Sequence, residues 1–562
     1  MTIADREQSA KPGIAPWTRT DWIVTALLLL GTIVFLLGHL TRPMIPMEDA
    51  SMLLRYSQHF AQGHGIVWNI GEHPVEGATD FLFMISIGLV SRWFGVGVMT
   101  ASTAILSVSH VASVAVMYAG LRRVYRAPLL VAAGMAAVLG AGVGFHYIDT
   151  GFSPPFYALF ALLTWYVGLV CLADGVTWRR AIWFGAFGFI TGLIRPDGVL
   201  LAIFMLASMV YGLREGRARL IVSFVTIFAV CGGIYFAWRV HYFGYLFPNP
   251  FYIKRTGGLD FGGLKVAGRL LVTLLLPLLP FAGLGLRSRA AMRELAVWLI
   301  TIVPFTSVWM LIILDNNHYA RFQYVMVPIS MMALGGLIGG WWHELKEAHP
   351  ELTREWRLPA AATVVVLFGL AIFSNLHFDI HNPPFSNVGA QDLAARLKPY
   401  APKDYAMVVT EAGDLPFYSD WRAVDALGLN DVYLAHHGGL MTQEYLERVH
   451  PEIIMYRVVA RFGSVADFAA QMGGPKVKTT DRLTNNDMAM NQYAVSHGYI
   501  LAAAWGPTYC DYLMYWVRPD FADSAAIVSD IRDHPYYSQV TGQLAYDFSK
   551  APVPNIPCWV HI

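Results

Sequence analysis

The stretch Trp22–Leu40 contains no Asp, Glu, Lys or Arg. At 1.5 Å per residue it can cross the roughly 30 Å hydrocarbon core of a bilayer. Further apolar runs cover Met99–Leu121, Leu129–Phe145, Phe156–Ala173, Ala181–Ile194, Val199–Leu213 and Leu220–Val240. Leu264–Leu286, Leu295–Leu314, Phe322–Trp342 and Leu358–Phe373 complete the series. Only 14% of the residues are charged and 56% are hydrophobic, where a water-soluble domain has about 25% charged. The pattern predicts a polytopic α-helical membrane protein of about eleven transmembrane helices. Two runs are short and flank Arg195-Pro196-Asp197, so they read as two helices meeting near a membrane face, the alternative being one long broken helix and a count changed by one.

Basic residues set the expected orientation. Arg122, Arg123 and Arg126 share one loop, Arg179 and Arg180 a second, and Arg214, Arg217 and Arg219 a third. Arg287, Arg289 and Arg293 form a fourth cluster, and Lys346, Arg354 and Arg357 a fifth. With the N-terminus cytoplasmic, all five fall on the cytoplasmic side. The polar segment Met1–Thr20 does not read as a signal peptide. The net charge of +1 gives no sign of a nucleic-acid partner.

From residue 376 to residue 562 the chain is rich in Asp, Pro, Gly and Tyr, with no run long enough to span. It reads as a soluble mixed α/β domain outside the cytoplasm, following a transmembrane domain over residues 1–375. Tyr405–Thr410 and Glu452–Tyr456 read as buried strands, Gln391–Leu397 and Asp467–Gln471 as helical turns. Cys171 and Cys231 lie in apolar runs and read as small hydrophobes. Cys510 and Cys558 can pair as a disulfide in an oxidising compartment, or stand as two buried thiols. The tail's Trp421, Tyr433, Trp505 and Trp516 can stack on sugars or simply fill a core.

The chemistry-bearing residues gather in the opposite set of loops. The first of these, residues 41–98, holds five carboxylates: Glu48, Asp49, Glu72, Glu76 and Asp80. The cations stand elsewhere: Arg195 with Asp197, Lys254 and Arg255 in the Leu246–Arg255 loop, and His318 with Arg321. Ionisable groups beside hydrocarbon are costly and mark functional sites. A carboxylate can accept a hydroxyl proton as general base. Arg and Lys can stabilise the charge developing on a departing phosphate, or merely reach for lipid headgroups.

Glu48-Asp49-Ala50 with Arg55-Tyr56, Gly63-His64-Gly65-Ile66-Val67-Trp68-Asn69, Gly71-Glu72 and Glu76-Gly77-Ala78-Thr79-Asp80 resemble the first loop of the mycobacterial terminal arabinofuranosyltransferases. These are GT-C glycosyltransferases, membrane enzymes that use polyprenyl-phosphate sugars. Arg195-Pro196-Asp197-Gly198, Pro248-Asn249 with Lys254, Arg321-Phe322 with Pro328, and Asp425–Asp431 resemble later motifs of the same group. The likeness is spread from residue 48 to about residue 431. The family has two adjacent aspartates where this chain has Glu48-Asp49, and its arginine motif often continues Pro-Glu where this chain has Asp197.

The resemblance implies a GT-C-like fold and transfer of a sugar, arabinofuranose by family, from a polyprenyl-phosphate donor. The acceptor would be a hydroxyl of a cell-envelope glycan at the outer face of the inner (plasma) membrane. It makes Asp49 the base, with Glu48 as partner or acceptor contact. Arg195, Lys254, Arg321 and His318 become the phosphate grip. Arg55, Asn69, Glu76, Asp80, Asp197, Asn249 and Tyr252 become substrate contacts. No cofactor is identified; Glu48-Asp49 with His73 or His146 offers ligands to a hard divalent cation, but no spacing demands one. The rival classes are a transporter or flippase of lipid-linked sugars, and a GT-C enzyme acting on protein or lipid.

Overall fold

The computed structural model describes residues 13–40, 46–142, 144–254, 259, 261–275, 289–311, 317, 320–348, 390–459, 482–508, 511–534 and 546–547, with a few isolated positions between 351 and 370. Among the described residues, six helices are long and apolar enough to cross a membrane: Arg19–Gly38, Val98–Val124, Leu129–Thr150, Pro154–Asp174, Arg217–Phe243 and Ala291–Val308. Phe81–Phe94, Asp197–Gly212 and Met326–Trp342 are shorter apolar helices. The protein is thus a multi-pass helical bundle, and the eleventh expected span, Leu358–Phe373, lies largely outside the described residues.

Local chemistry explains the helix ends. Thr18 accepts from the Asp21 amide while Asp21 accepts from Thr18, a reciprocal cap that starts the first helix. The helix Trp178–Ile194 stops at Arg195, whose backbone is extended (φ −144°, ψ 141°), because Pro196 disfavours the α region in the residue before it. The next helix, Asp197–Gly212, starts immediately. The helix Phe81–Phe94 was expected as part of a loop; at 14 residues it is too short to register as a span.

The two ends of the bundle differ. Ala15 donates to the Arg123 carbonyl at 2.9 Å and Arg126 to the Gly13 carbonyl at 2.7 Å. Arg122 pairs with Asp21 at 2.7 Å, and Gly13 lies against Asp174. Arg219 donates to the Val176 carbonyl at 3.1 Å. The described N-terminal residues and the first three basic loops therefore share one end. Helix Trp178–Ile194 runs from that end to Arg195, and Asp197–Gly212 returns, which puts the acids and bases of the opposite loops at the far end.

The C-terminal part is a six-stranded mixed sheet in the order β2-β1-β3-β5-β4-β6. Its strands are β1 Ala406–Val409, β2 Arg422–Asp425, β3 Ile453–Val459, β4 Ile500–Thr508, β5 Asp511–Val517 and β6 Tyr546–Asp547. β1 pairs parallel to β2 and β3; β5 runs antiparallel to β3 and β4. All four residues of β1 are buried, as expected for a strand covered on both faces. Trp421, Trp505 and Trp516 are buried, so they fill core rather than present a sugar platform. The expected domain boundary at residues 375–376 and the turn Asp467–Gln471 lie outside the described residues.

This domain does not sit apart. Leu53, Leu54, Trp68 and Phe83 of the segment 41–98 share one apolar core with Leu393, Met407, Trp421 and Tyr515. Arg55, 2% exposed, joins the two parts. It donates to the carbonyls of Trp68 (2.9 Å), Trp421 (2.7 Å) and Pro416, and to Asn69 Oδ1 (3.1 Å). Asn69 in turn accepts from the Ala423 amide at 3.0 Å. Arg55→Ala strands these buried acceptors and is expected to destabilise the fold by about 3 kcal/mol. Thermal unfolding of the purified variant checks this, and an unchanged midpoint would show that the brace is dispensable.

Candidate active site

The helix Glu48–Gln62 opens with two acids in its first turn, where the helix dipole favours negative charge. The acids diverge. Asp49 forms an ion pair with Arg321. Glu48 instead accepts from the backbone amides of Gly413 and Asp414, the latter at 3.1 Å. Ser51 donates to Asp414 Oδ1 at 2.5 Å.

Arg321 is 8% exposed. Its guanidinium lies 4.0 Å from the centre of the Phe152 ring and 4.8 Å from that of Phe322. Its buried Nε has no hydrogen-bond partner among the described residues. The preceding Ala320 has a left-handed backbone, φ +55°, which costs about 1 kcal/mol for a residue with a Cβ; such strain clusters at functional sites. Arg195 approaches the same Phe322 ring at 4.8 Å and pairs with Asp197 at 3.0 Å and Asp80 at 3.3 Å. Ser153 also donates to Asp80, and Tyr157 to Asp197 at 3.2 Å. Asp49, Arg321, Arg195, Asp80 and Asp197 thus form one linked group around Phe322.

A second group lies along the strap that ends at Asp80. Glu76 pairs with Arg239, Nε to carboxylate 2.7 Å, and its carbonyl accepts from the Asn249 amide at 3.0 Å. Burial raises the Glu76 carboxyl above its ordinary value, against the lowering effect of Arg239. Asn249 is buried and its Nδ2 has no partner among the described residues. Tyr252 and Lys254 share its short helix, Asn249–Lys254, and the Tyr252 ring meets His436 at 4.4 Å. Arg239 was missed from sequence. The available signal was an arginine inside the otherwise apolar run Leu220–Val240.

Other candidates fall elsewhere. Arg55 and Asn69 are engaged in the brace to the C-terminal domain rather than beside Asp49. Glu72 pairs with Arg422 at the surface, 2.6 Å apart. His73 is exposed and bonded to the Pro74 carbonyl, while His146 is buried in the helix Gly144–Thr150. Among the described residues no group of three or more His, Cys, Asp or Glu is arranged to hold a metal ion. His318, Cys510 and Cys558 lie outside the described residues.

The Glu48 carboxyl is pushed well above its ordinary value, first by burial and then by the neighbouring Asp414 and Glu411. Asp414 is pushed up to about 7, chiefly by burial, with Glu411 adding to it. The Asp425 carboxylate accepts from the amides of Leu427 and Asn430, both at 2.9 Å. Asn430 Oδ1 then accepts from the Tyr56 hydroxyl at 3.1 Å. Gly77 is pressed against Asn430, and any side chain at Gly77 would overlap its Oδ1. The motif around Asp425 therefore folds into a loop that holds the strap in place.

Residues 384–528 match a family model described as a domain of unknown function (DUF8728). No curated protein matches the chain. Among solved structures it is similar to ArnT from Cupriavidus metallidurans in the apo state, at 15% identity and a TM-score of 0.57, covering 88% of this chain and 98% of that one. ArnT bound to undecaprenyl phosphate matches at 14% identity and a TM-score of 0.54, covering 89% and 98%. The arabinofuranosyltransferase AftD from Mycobacteria matches at 12% identity and a TM-score of 0.51. That match covers 90% of this chain and 40% of AftD. Matched across 98% of ArnT, this chain shares that protein's fold.

Proposed function

We propose that the protein is a membrane glycosyltransferase that moves a sugar from a polyprenyl-phosphate donor to a hydroxyl of a cell-envelope glycan. The observation that carries this is the Asp49–Arg321 ion pair, linked through Phe322 to Arg195, at the end of the bundle away from the basic loops. By the positive-inside rule that end faces out of the cytoplasm, which makes the C-terminal domain extracytoplasmic, and a cell-envelope acceptor favours the plasma membrane as its site. The shared fold with ArnT, one structure of which holds undecaprenyl phosphate, supports a lipid-phosphate donor. Arabinofuranose is the sugar favoured by the first-loop motifs.

In this mechanism the donor phosphate enters beside Arg321 and Arg195. Arg321 gains a second anion, which loosens its hold on Asp49. Asp49 accepts the proton of the acceptor hydroxyl as that oxygen bonds to C1 of the sugar. The C1–phosphate bond breaks, and the polyprenyl phosphate leaves with the electron pair. Its charge is met by guanidinium groups already in place, which need no reorganisation at the moment of reaction.

The test is transfer by the purified protein in detergent, with polyprenyl-phosphate arabinofuranose and a defined glycan acceptor, read by mass spectrometry of the product. Product formed without a bilayer supports transfer over transport. No product from any polyprenyl-phosphate sugar, with lipid-linked sugar crossing vesicles that contain the protein, would make it a flippase.

A further inference from the structure

The outer domain reaches the first outward loop at three places. Arg55 and Asn69 bond to the 416–423 segment, Asn430 meets Tyr56 and Gly77, and Gly413-Asp414 meets Glu48 and Ser51. The third lies one residue from Asp49. Glu48 and Ser51, three apart on a helix, share a face, and that face is gripped by the 413–414 segment. Asp49 is about 100° further round the same turn and meets Arg321 instead. The fit at Gly413 is close: a Cβ there would overlap the Glu48 carbonyl oxygen, so the outer-domain backbone packs directly on the peptide that leads into Asp49. The Glu48 carboxylate accepts two backbone amides, which commits it to the interface rather than to a substrate.

We propose that the outer domain is an active-site brace, in which the Gly413 and Asp414 amides and the Asp414 side chain, through Glu48 and Ser51, fix Asp49 opposite Arg321. This rests on the glycosyltransferase function proposed above and gives the domain of unknown function a role in it. Glu48 and Asp414 are then positioning residues. Misplacing a reacting carboxylate by about 1 Å costs on the order of 100-fold in rate, so a contact that never touches substrate still governs turnover.

The experiment compares Glu48→Ala, Glu48→Gln, Asp414→Ala and Asp414→Asn in the full chain. The alanine variants should lose about 100-fold in kcat, with the donor KM within about two-fold because Arg195 and Arg321 are untouched. Asp414→Asn keeps an oxygen for Ser51 and should recover to within about five-fold of the parent, while Glu48→Gln keeps an oxygen for only one of the two amides and should fall between the parent and Glu48→Ala. Amide hydrogen exchange in the first turns of Glu48–Gln62 should quicken in the alanine variants only. Unchanged kcat and exchange in both alanine variants would overturn the brace. Equal losses in Asp414→Asn and Asp414→Ala would also overturn it, since Asn preserves the acceptor for Ser51 through which the brace acts. If the parent protein transfers no sugar, the proposed function fails, while the exchange measurement still decides the brace.

Discussion

Asp49→Asn is expected to lower kcat by about 10²- to 10⁴-fold, the range carried by a positioned general base. Asn keeps the size of the side chain and an oxygen for Arg321, so the helix Glu48–Gln62 and the outer-domain interface should stay in place. The amide cannot take the hydroxyl proton at neutral pH. Donor binding should change little or tighten, because Arg321 loses its competing carboxylate. The checks are steady-state kinetics with the lipid-phosphate sugar, plus size-exclusion chromatography to confirm a folded variant. Parental turnover by a folded Asp49→Asn protein would remove Asp49 from the mechanism.

Arg321→Ala should produce the largest combined loss. It removes the cation that pairs with Asp49 and opens the space between Phe152 and Phe322. Loss of one charge-stabilising donor costs about 10²- to 10³-fold in kcat, and donor KM should rise as well. Breaking a buried pair from one side costs about 3 kcal/mol of stability. Arg321→Lys should recover little, because an ammonium lacks the planar guanidinium that packs on two rings. Kinetics and thermal unfolding of both variants check this. If Arg321→Lys restored both kcat and KM, point charge alone would suffice and the ring contacts would be irrelevant.

Much of the helical scaffold was legible because spanning a bilayer leaves a local mark. Every backbone group must bond within its own helix, so a span reads as a long apolar run. Arg195-Pro196 was legible as a helix break for the same local reason. Phe81–Phe94 was not, since a short apolar helix inside a loop carries no length signal. The fate of the acids was legible only as a list. Glu48 and Asp49 are neighbours of the same charge, and nothing in their order says that one turns to Arg321 and the other to the Gly413 amide. Arg55 and Asn69 were expected as substrate contacts because they stand in the first-loop motifs that carry the family resemblance. Packing assigned them to the brace, where buried carbonyls of the C-terminal domain need donors.

Read alone, the residues showed a bundle of apolar helices followed by a polar α/β tail, with acids and bases collected in one set of loops. Hydrophobicity and charge are local properties, and they fix which segments enter lipid and which stay out. Tertiary structure alone decided the partnerships. Asp49 meets Arg321 from 272 positions away, Arg195 meets Asp80 from 115, and Glu48 meets Asp414 from 366. Such pairings follow from how helices and sheet pack and which charges are thereby desolvated together, and no residue carries that information alone.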